Sequence, residues 1–367
     1  MLLKIGITAE MLLHENVTGI ERYICDLSQK LVIDKRHDIK LILPSAVYEK
    51  QYPEMLKFKY DPPLIQLSTF FRSRFFSSFF NYPRRLREFD IIHSPTVTAP
   101  FFFRPPGVKV VMTVHDLIPN LFPKWQPLKR KIYFQYFLNH RLRYVDRFIT
   151  DSENTKKDLM SLFKIDSDKI DVVYLGASKR FKTNKETKRQ DFILGVSTIE
   201  PRKNFKRLID AYIMLKEKHN IVEKLYIVGK EGWFFNNIIN IPEKFKNDIV
   251  FKGYVSNDQL IALYQSAKVF VYPSLYEGFG LPVLEAMACG CPVITSNVSS
   301  LPEVGGDAVL YVNPEDKVQL SQKIYEVILD DVLQEKMSQD GIKQAARFTW
   351  EKCAENTIKV YEKVMNH

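Results

Sequence analysis

The residues best suited to chemistry crowd into one stretch, YPSLYEGFGLPVLEAMACGCPVIT at 272–295. Two carboxylates, Glu277 and Glu285, stand there with seven residues between them. A strand leads in and ends near Ser274, and a loop carrying Gly278 and Gly280 follows. Pro282 then opens a helix at its favoured early position. Val283, Leu284, Met287 and Ala288 suit the buried face of that helix, Gly290 ends it, and Pro292 blocks its continuation into the next strand. Such a loop leaves the backbone N–H groups of Phe279, Gly280 and Leu281 free at a helix start, where phosphate or hydroxyl oxygens are attracted. Glu277 in the loop and Glu285 in the first or second turn can both point into one cleft.

Cations and imidazoles occur at other strand ends. Pro201-Arg202-Lys203-Asn204 directly follows a strand and opens a helix, and His115-Asp116 follows the apolar run 109–114. Bland readings stand beside each of these. Arg202 and Lys203 at a helix start are often merely solvated, and His115 or His93 after an apolar strand is often a satisfied buried ring. Ser152 and Asn154 read first as a helix N-cap region. Asp166-Ser167-Asp168 matches a metal-binding D-x-D text, but it lies between a helix and the strand IDVVYLG, away from the inferred cleft. Cys289 and Cys291 read as small buried residues, and with Cys25 and Cys353 they form no C-x-x-C pair, which argues against a zinc site or a disulfide framework. Asn16 and Asn297 match glycosylation sequons that a cytoplasmic chain does not use.

These groups need a scaffold. At 367 residues the chain has room for about two domains. Hydrophobic residues at 46% and charged residues at 26% exclude disorder, collagen and coiled coil. Short Ile/Val runs at 2–8, 39–43, 90–93, 109–114, 147–150 and 170–174 alternate with amphipathic stretches, and a second series follows at 191–196, 224–228, 249–251, 268–272, 292–295 and 308–311. Strands alternating with helices imply parallel sheets covered on both faces, here twice over: an α/β protein with two Rossmann-like doubly wound domains. Ligands in such folds bind outside the carboxyl ends of the strands, so two facing domains put the site in the cleft between them. The polar run 181–190 reads as a linker, and 316–366 as all-helical. The start MLLKIGITAE reads as a first strand rather than a signal peptide, and no apolar run is long enough to span a membrane. A reduced cytoplasmic setting is the expectation.

The net charge of +10 is unevenly placed: residues 1–185 hold 31 Lys and Arg against 19 Asp and Glu, whereas residues 186–367 hold 22 against 24. The basic first half suggests an anionic partner. Within it, STFFRSRFFSSFFNYPRRLREF (68–89) interleaves aromatics with Arg, and 123–144 adds Lys129, Arg130, Lys131, Arg141 and Arg143. That pattern suits a surface dipping into anionic headgroups at the inner membrane face, or else a core helix with a basic rim. Nucleic acid is disfavoured by the near-neutral second half.

The 272–295 segment resembles the E-x7-E signature of retaining glycosyltransferases of the GT-B fold, family 4. ILGVSTIEPRKNFKRLIDAY (193–212), LYIVGKEG (225–232), VFKGYVSNDQLIALYQSAKVFVYPS (250–274), TVHDLIPNLFP (113–123) and FITDSENTKKDL (148–159) are similar to that family in the same order. The resemblance implies an acceptor-binding domain over 1–180, a linker over 181–190, a nucleotide-sugar domain over 191–348, and a C-terminal helix over 349–367 crossing back to the first domain. It implies that Glu285 accepts bonds from ribose hydroxyls and that Glu277 holds hydroxyls of the donor sugar. Gly278, Phe279, Gly280 and Leu281 belong to the donor loop, the last three offering N–H groups to sugar or diphosphate. Lys203 and Arg202 neutralise the diphosphate, His115 contacts the sugar beside the reacting carbon, and Gly19, in NVTGIERY, comes close to the diphosphate. Relatives often carry a basic residue six positions before the lysine; here that position is Ser197, and Arg202 is the candidate substitute.

The implied chemistry is transfer of a hexose from a nucleotide-diphosphate sugar, GDP-mannose first, to a glycan or lipid-linked acceptor in surface polysaccharide assembly. Retention of configuration is implied, by front-face substitution in preference to a Glu277 nucleophile. Breaking a glycosyl–phosphate bond builds positive charge on the sugar and negative charge on the diphosphate, which cations and aligned N–H groups stabilise. No metal and no cofactor is therefore expected. A nucleotide-sugar epimerase on the same fold and a non-catalytic binding protein are the alternatives.

Overall fold

The computed structural model describes residues 2–9, 19–44, 64–67, 86–97, 106–126, 131, 134, 138–184, 186–232 and 241–366. The chain divides into two compact units. One comprises Met1–Gly176 with Trp350–His367, and the other Ala177–Thr349.

In the first unit the strands are β1 (Lys4–Thr8), β2 (Asp38–Pro44), β3 (Leu64–Leu67), β4 (Ile91–Ser94), β5 (Lys109–Val114), β6 (Arg147–Thr150) and β7 (Ile170–Val172). They form a parallel sheet of order β3-β2-β1-β4-β5-β6-β7. Ile5 pairs with Ile39 on one side and with Ile91 on the other. A parallel sheet is covered on both faces, so its strands read as continuous apolar runs; β4 and β6 are buried at every position. β3 was not among the expected strands.

Two long helices cover this sheet beside α2 (Glu153–Phe163): α1 (Gly19–Asp34) and the last helix, Trp350–Met365. The last helix buries Trp350, Cys353, Ala354, Thr357, Ile358, Val360, Tyr361 and Val364, a stripe at 3.6-residue spacing that packs on α1, β5 and β6. Ser152 caps α2, its Oγ accepting the Thr155 N–H at 3.1 Å, as its place after a strand led one to expect.

The second unit holds β8 (Gln190–Val196), β9 (Lys224–Val228), β10 (Ile249–Gly253), β11 (Ala267–Tyr272), β12 (Val293–Ser296) and β13 (Leu310–Val312), parallel in the order β10-β9-β8-β11-β12-β13. Helices α3 (Phe205–His219), α4 (Asn257–Ser266), α5 (Leu281–Ala288), α6 (Leu301–Gly305), α7 (Lys317–Leu329) and α8 (Asp331–Ala345) surround it. Its core joins Ile193, Leu225, Val269 and Ile294 of the sheet to Leu208, Ile209 and Leu215 of α3 and Ile324 and Val327 of α7. Each such side chain contributes about 1.5–3 kcal/mol by leaving water. A capping box of Ser256 and Gln259 opens α4.

The polar segment 181–190, read from sequence as a linker, lies within this second unit. Phe181 is buried, Gln265 donates to the Lys182 carbonyl at 2.7 Å, and Arg189 donates to the carbonyls of Ala267 and Gly290 at 3.0 and 2.8 Å. Hydrogen bonds to backbone carbonyls hold this polar segment in place.

Candidate active site

The order in which strands are added across the second sheet reverses between β8 and β11: β9 and β10 lie to one side, β12 and β13 to the other. The crevice at the carboxyl ends of two such strands is where open α/β sheets bind ligands. Pro201–Lys203 follows β8 as a single 3-10 turn, and the loop 273–280 follows β11. The Leu275 N–H donates to the Arg202 carbonyl at 2.8 Å and the Asn204 side chain donates to the Pro273 carbonyl at 2.9 Å, so the two loops are tied together.

This tie brings Arg202, Lys203 and Glu277 into one cluster. Lys203 Nζ donates to Glu277 Oε1 at 2.7 Å and to Tyr272 Oη at 2.6 Å. Tyr272 Oη in turn donates to Glu277 Oε1 at 2.9 Å. Arg202 reaches Glu277 Oε2 at 2.6 Å with one guanidinium nitrogen and Glu200 Oε1 at 2.8 Å with another. Lys203, Glu277, Glu200 and Tyr272 are all buried. Burial works against the charge on Glu277, but Arg202 and then Lys203 overcome it and hold its carboxyl down at about 2. Burial and the neighbouring Arg202 push the Lys203 ammonium down, with Glu277 and Glu200 opposing. The cluster thus gathers two cations and two carboxylates at the switch point, with Glu277 shared by both cations.

The loop after Glu277 is held from beneath. The Glu277 N–H donates to Ser299 Oγ at 3.0 Å, and Ser300 Oγ donates to the carbonyls of Glu277 and Phe279 at 3.0 and 2.8 Å. Gly278, Phe279 and Gly280 are buried, and Leu281 begins α5 with Pro282 in its first turn. Gly280 sits at φ +113°, a conformation closed to most L residues, so the turn into α5 requires glycine there. Glu285 is buried on α5, one turn beyond the helix start. At the neighbouring strand ends, Gly229 has φ +141°, and a Cβ would stand 1.9 Å from the Ser197 carbonyl oxygen. Backbone fills the place beside Ser197, and the basic side chain nearest in sequence is Arg202, turned toward Glu277 and Glu200.

His115 and Gly19 belong to the first unit. Gly19 is the exposed first residue of α1; Asn16, Val17 and Thr18, which complete its motif, lie outside the described residues. His115 follows β5. Its Nδ1 lies 2.6 Å from Asp151 Oδ2 and its Nε2 2.9 Å from the Pro95 carbonyl. The Tyr23 ring meets it edge-on at 4.7 Å. His93, on β4, is fully buried with both nitrogens satisfied: Nδ1 at 2.7 Å from Tyr361 Oη, Nε2 at 2.8 Å from Thr113 Oγ1. Burial and the nearby His115 push its imidazole down to about 3, so it stays neutral. His93 is the satisfied core histidine of the bland reading.

Asp166, Ser167 and Asp168 form an exposed turn, where the Asp168 carbonyl accepts from Arg147. Among the described residues no three His, Cys, Asp or Glu side chains gather into a metal-binding group. Cys25, Cys289, Cys291 and Cys353 are free and buried. Most of the aromatic–basic stretch, residues 68–85, lies outside the described residues, as do Lys129 and Arg130. Among the described residues no helix is long and apolar enough to cross a membrane. Three residues of these clusters escaped the sequence reading: Tyr272, Glu200 and Asp151. Tyr272 ends β11 and Asp151 directly follows β6, and that position was the available signal; Glu200 lies four residues beyond β8, just before the 3-10 turn.

The family profile of glycosyl transferases group 1 matches residues 177–344, and that of glycosyltransferase family 4 matches residues 17–179. O-antigen chain mannosyltransferase B of Escherichia coli is 31% identical over 94% of this chain and 96% of its own length. A serotype-specific mannosyltransferase of Escherichia coli, WbdA, is 30% identical over 70% of this chain, a match that spans only 34% of WbdA. Among solved structures, sucrose-phosphate synthase from Thermosynechococcus elongatus superposes with a TM-score of 0.75 over 99% of both chains at 18% identity, a likeness of fold. With two Rossmann-like units of the GT-B type and a close match along nearly its whole length, the chain belongs to the family 4 glycosyltransferases.

Proposed function

We propose that this protein transfers mannose from GDP-mannose to a glycan or lipid-linked acceptor, with retention of anomeric configuration, during surface polysaccharide assembly. The observation that carries this reading is the Arg202–Lys203–Glu277 cluster at the switch point of the second sheet, beside the start of α5. The choice of mannose rests on the E. coli relatives, whose names are those of mannosyltransferases.

In this reading the bond between the anomeric carbon and the phosphate oxygen breaks while a bond from the acceptor oxygen forms on the same face. The departing phosphate takes the acceptor proton. Lys203 and Arg202 offset the charge that grows on the diphosphate, and the N–H groups of Phe279, Gly280 and Leu281 add to that field. Glu277 orients sugar hydroxyls. A carboxylate held by Lys203, Arg202 and Tyr272 is a poor nucleophile, which favours front-face substitution over a covalent intermediate. Glu285 holds the ribose, His115 serves the donor sugar, and Gly19 lies by the diphosphate. Because the protein supplies its own cations, turnover needs no metal. The basic first unit meets an anionic lipid surface or a lipid-linked acceptor on the cytoplasmic face of the membrane.

A thermal-shift panel of GDP, UDP, dTDP and ADP tests the reading. Selective binding to the folded state at a hundred times Kd stabilises it by about 2.7 kcal/mol. GDP alone should raise the melting temperature; a selective response to UDP or dTDP would replace the base, and no response to any nucleotide would overturn the donor site. Glu285→Ala should abolish the GDP response, and an unchanged affinity by calorimetry would remove Glu285 from the ribose.

A further inference from the structure

Both ring nitrogens of His115 face acceptors. The Pro95 carbonyl oxygen, 2.9 Å from Nε2, can only accept, so Nε2 carries a proton. Asp151 Oδ2, 2.6 Å from Nδ1, accepts when ionised. We infer that Asp151 keeps His115 doubly protonated at neutral pH and is its positioning residue, so that His115 presents a fixed positive charge to the oxygen atoms of the donor and never acts as a base. The catalytic half of this inference rests on the reading of His115 as a donor-contacting group; the protonation half does not.

The surroundings agree. From its own loop Asp116 adds a second negative charge, while β4 contributes only neutral His93 and the Pro95 carbonyl. Tyr23 of α1 presents the edge of its ring. The groups of the last helix that lie by Asp151 and His93 are Cys353 and Tyr361, both pushed far up by burial and so uncharged. Among the described residues of these elements, the charged groups that act on His115 are Asp151 and Asp116. Burial works against the His115 charge, but Asp151 beside it prevails and the imidazole titrates above its ordinary range. Asp151 is itself buried, which pushes its carboxyl up while His115 pulls it down, and its Oδ1 has no hydrogen-bond partner among the described residues, so the His115 imidazolium is the main compensation for its charge. An ionised carboxylate left without that partner would be strongly disfavoured.

Ring 15N spectra of the histidine-labelled full chain test this, with His115→Gln assigning one of the seven histidines. Wild type should show His115 with both nitrogens protonated at pH 7, and Asp151→Asn should move its titration toward acid. With GDP-mannose as donor, Asp151→Asn should lower kcat by about 10- to 100-fold, the scale of a charge-assisted hydrogen bond, with KM little changed. Asp151→Glu should restore much of it. A bare nitrogen on wild-type His115 at pH 7 overturns the inference, and so does wild-type kcat in Asp151→Asn. Should Asp151→Asn fail to fold, the wild-type spectrum and Asp151→Glu still decide. If wild type itself turns over no nucleotide sugar, the functional reading fails while the spectrum still reports on the dyad.

Discussion

Each unit buries a polar cluster near the carboxyl ends of its strands, and the two are built on opposite electrostatic plans. In the second unit a carboxylate is gripped by two cations and a tyrosine, all from the loops and strand flanking the switch point. In the first, a neutral chain of Tyr361, His93, Thr113 and Tyr23 runs through the interior, and the His115–Asp151 pair lies beside it. The difference teaches what each cluster is for. Two cations share Glu277, and Arg202 is paired with Glu200 as well, so charge is concentrated at the switch point. A neutral hydrogen-bonded chain links α1, β4, β5 and the last helix, and its value is positional.

The contrast can be broken most severely at Glu277. Glu277→Ala leaves Lys203 and Arg202 without their shared partner, and removing one member of a buried ion pair costs about 3–5 kcal/mol. The melting of the second unit should fall accordingly, while hydrogen exchange in β5 and β6 stays as in wild type. An unchanged melt would mean that the cations have found water or other partners.

Acid should separate the units next. His93 titrates near 3 when folded and in its ordinary range when unfolded, so below about 6.5 the unfolded chain binds a proton that the folded one refuses. The contribution of His93 to the first unit therefore fades as pH falls from about 6.5 toward 3, by about 3 kcal/mol at pH 4. Glu277 is shifted in the same direction but over a lower range: its contribution is whole above its unfolded value of 4.5 and is lost as pH falls from there toward 2. Hydrogen exchange of β4 and β5 between pH 6.5 and 5 should depend more steeply on pH in wild type than in His93→Gln, while Glu277 still contributes in full. Equal pH dependence in the two proteins would contradict the assignment.

A smaller effect sharpens the second cluster. Tyr272→Phe removes the hydroxyl that spans Lys203 and Glu277, worth about 1 kcal/mol, and should lower kcat by about fivefold with little change in melting. Unaltered kinetics would reduce Tyr272 to packing.

How much of this was legible in the sequence depended on distance along the chain. The strands were legible because parallel strands, buried on both faces, read as Ile/Val runs such as 109–114 and 147–150. Glu277, Glu285 and the Gly280 turn lie within one short motif, and their local roles follow from loop and helix-start chemistry. Lys203 was visible as a cation after a strand, but its partner Tyr272 lies 69 residues away, brought close only by three successive parallel connections. His115 and Asp151 are 36 residues apart for the same reason. Tyr272 looked like one more apolar strand residue and Asp151 like part of a helix cap, because a parallel sheet hides its cross-strand neighbours from local pattern. β3 pairs with β2 from a stretch with no distinctive alternation, and so went unseen.

The account turns on whether lysine and arginine of the second unit carry the charge of the leaving diphosphate. Steady-state turnover of GDP-mannose by Lys203→Ala, with chelator present, tests this most directly. The account predicts a kcat about 100-fold below wild type, the scale of a lost transition-state contact, with wild type indifferent to the chelator. A variant as fast as wild type, or a wild type silenced by the chelator, would contradict it.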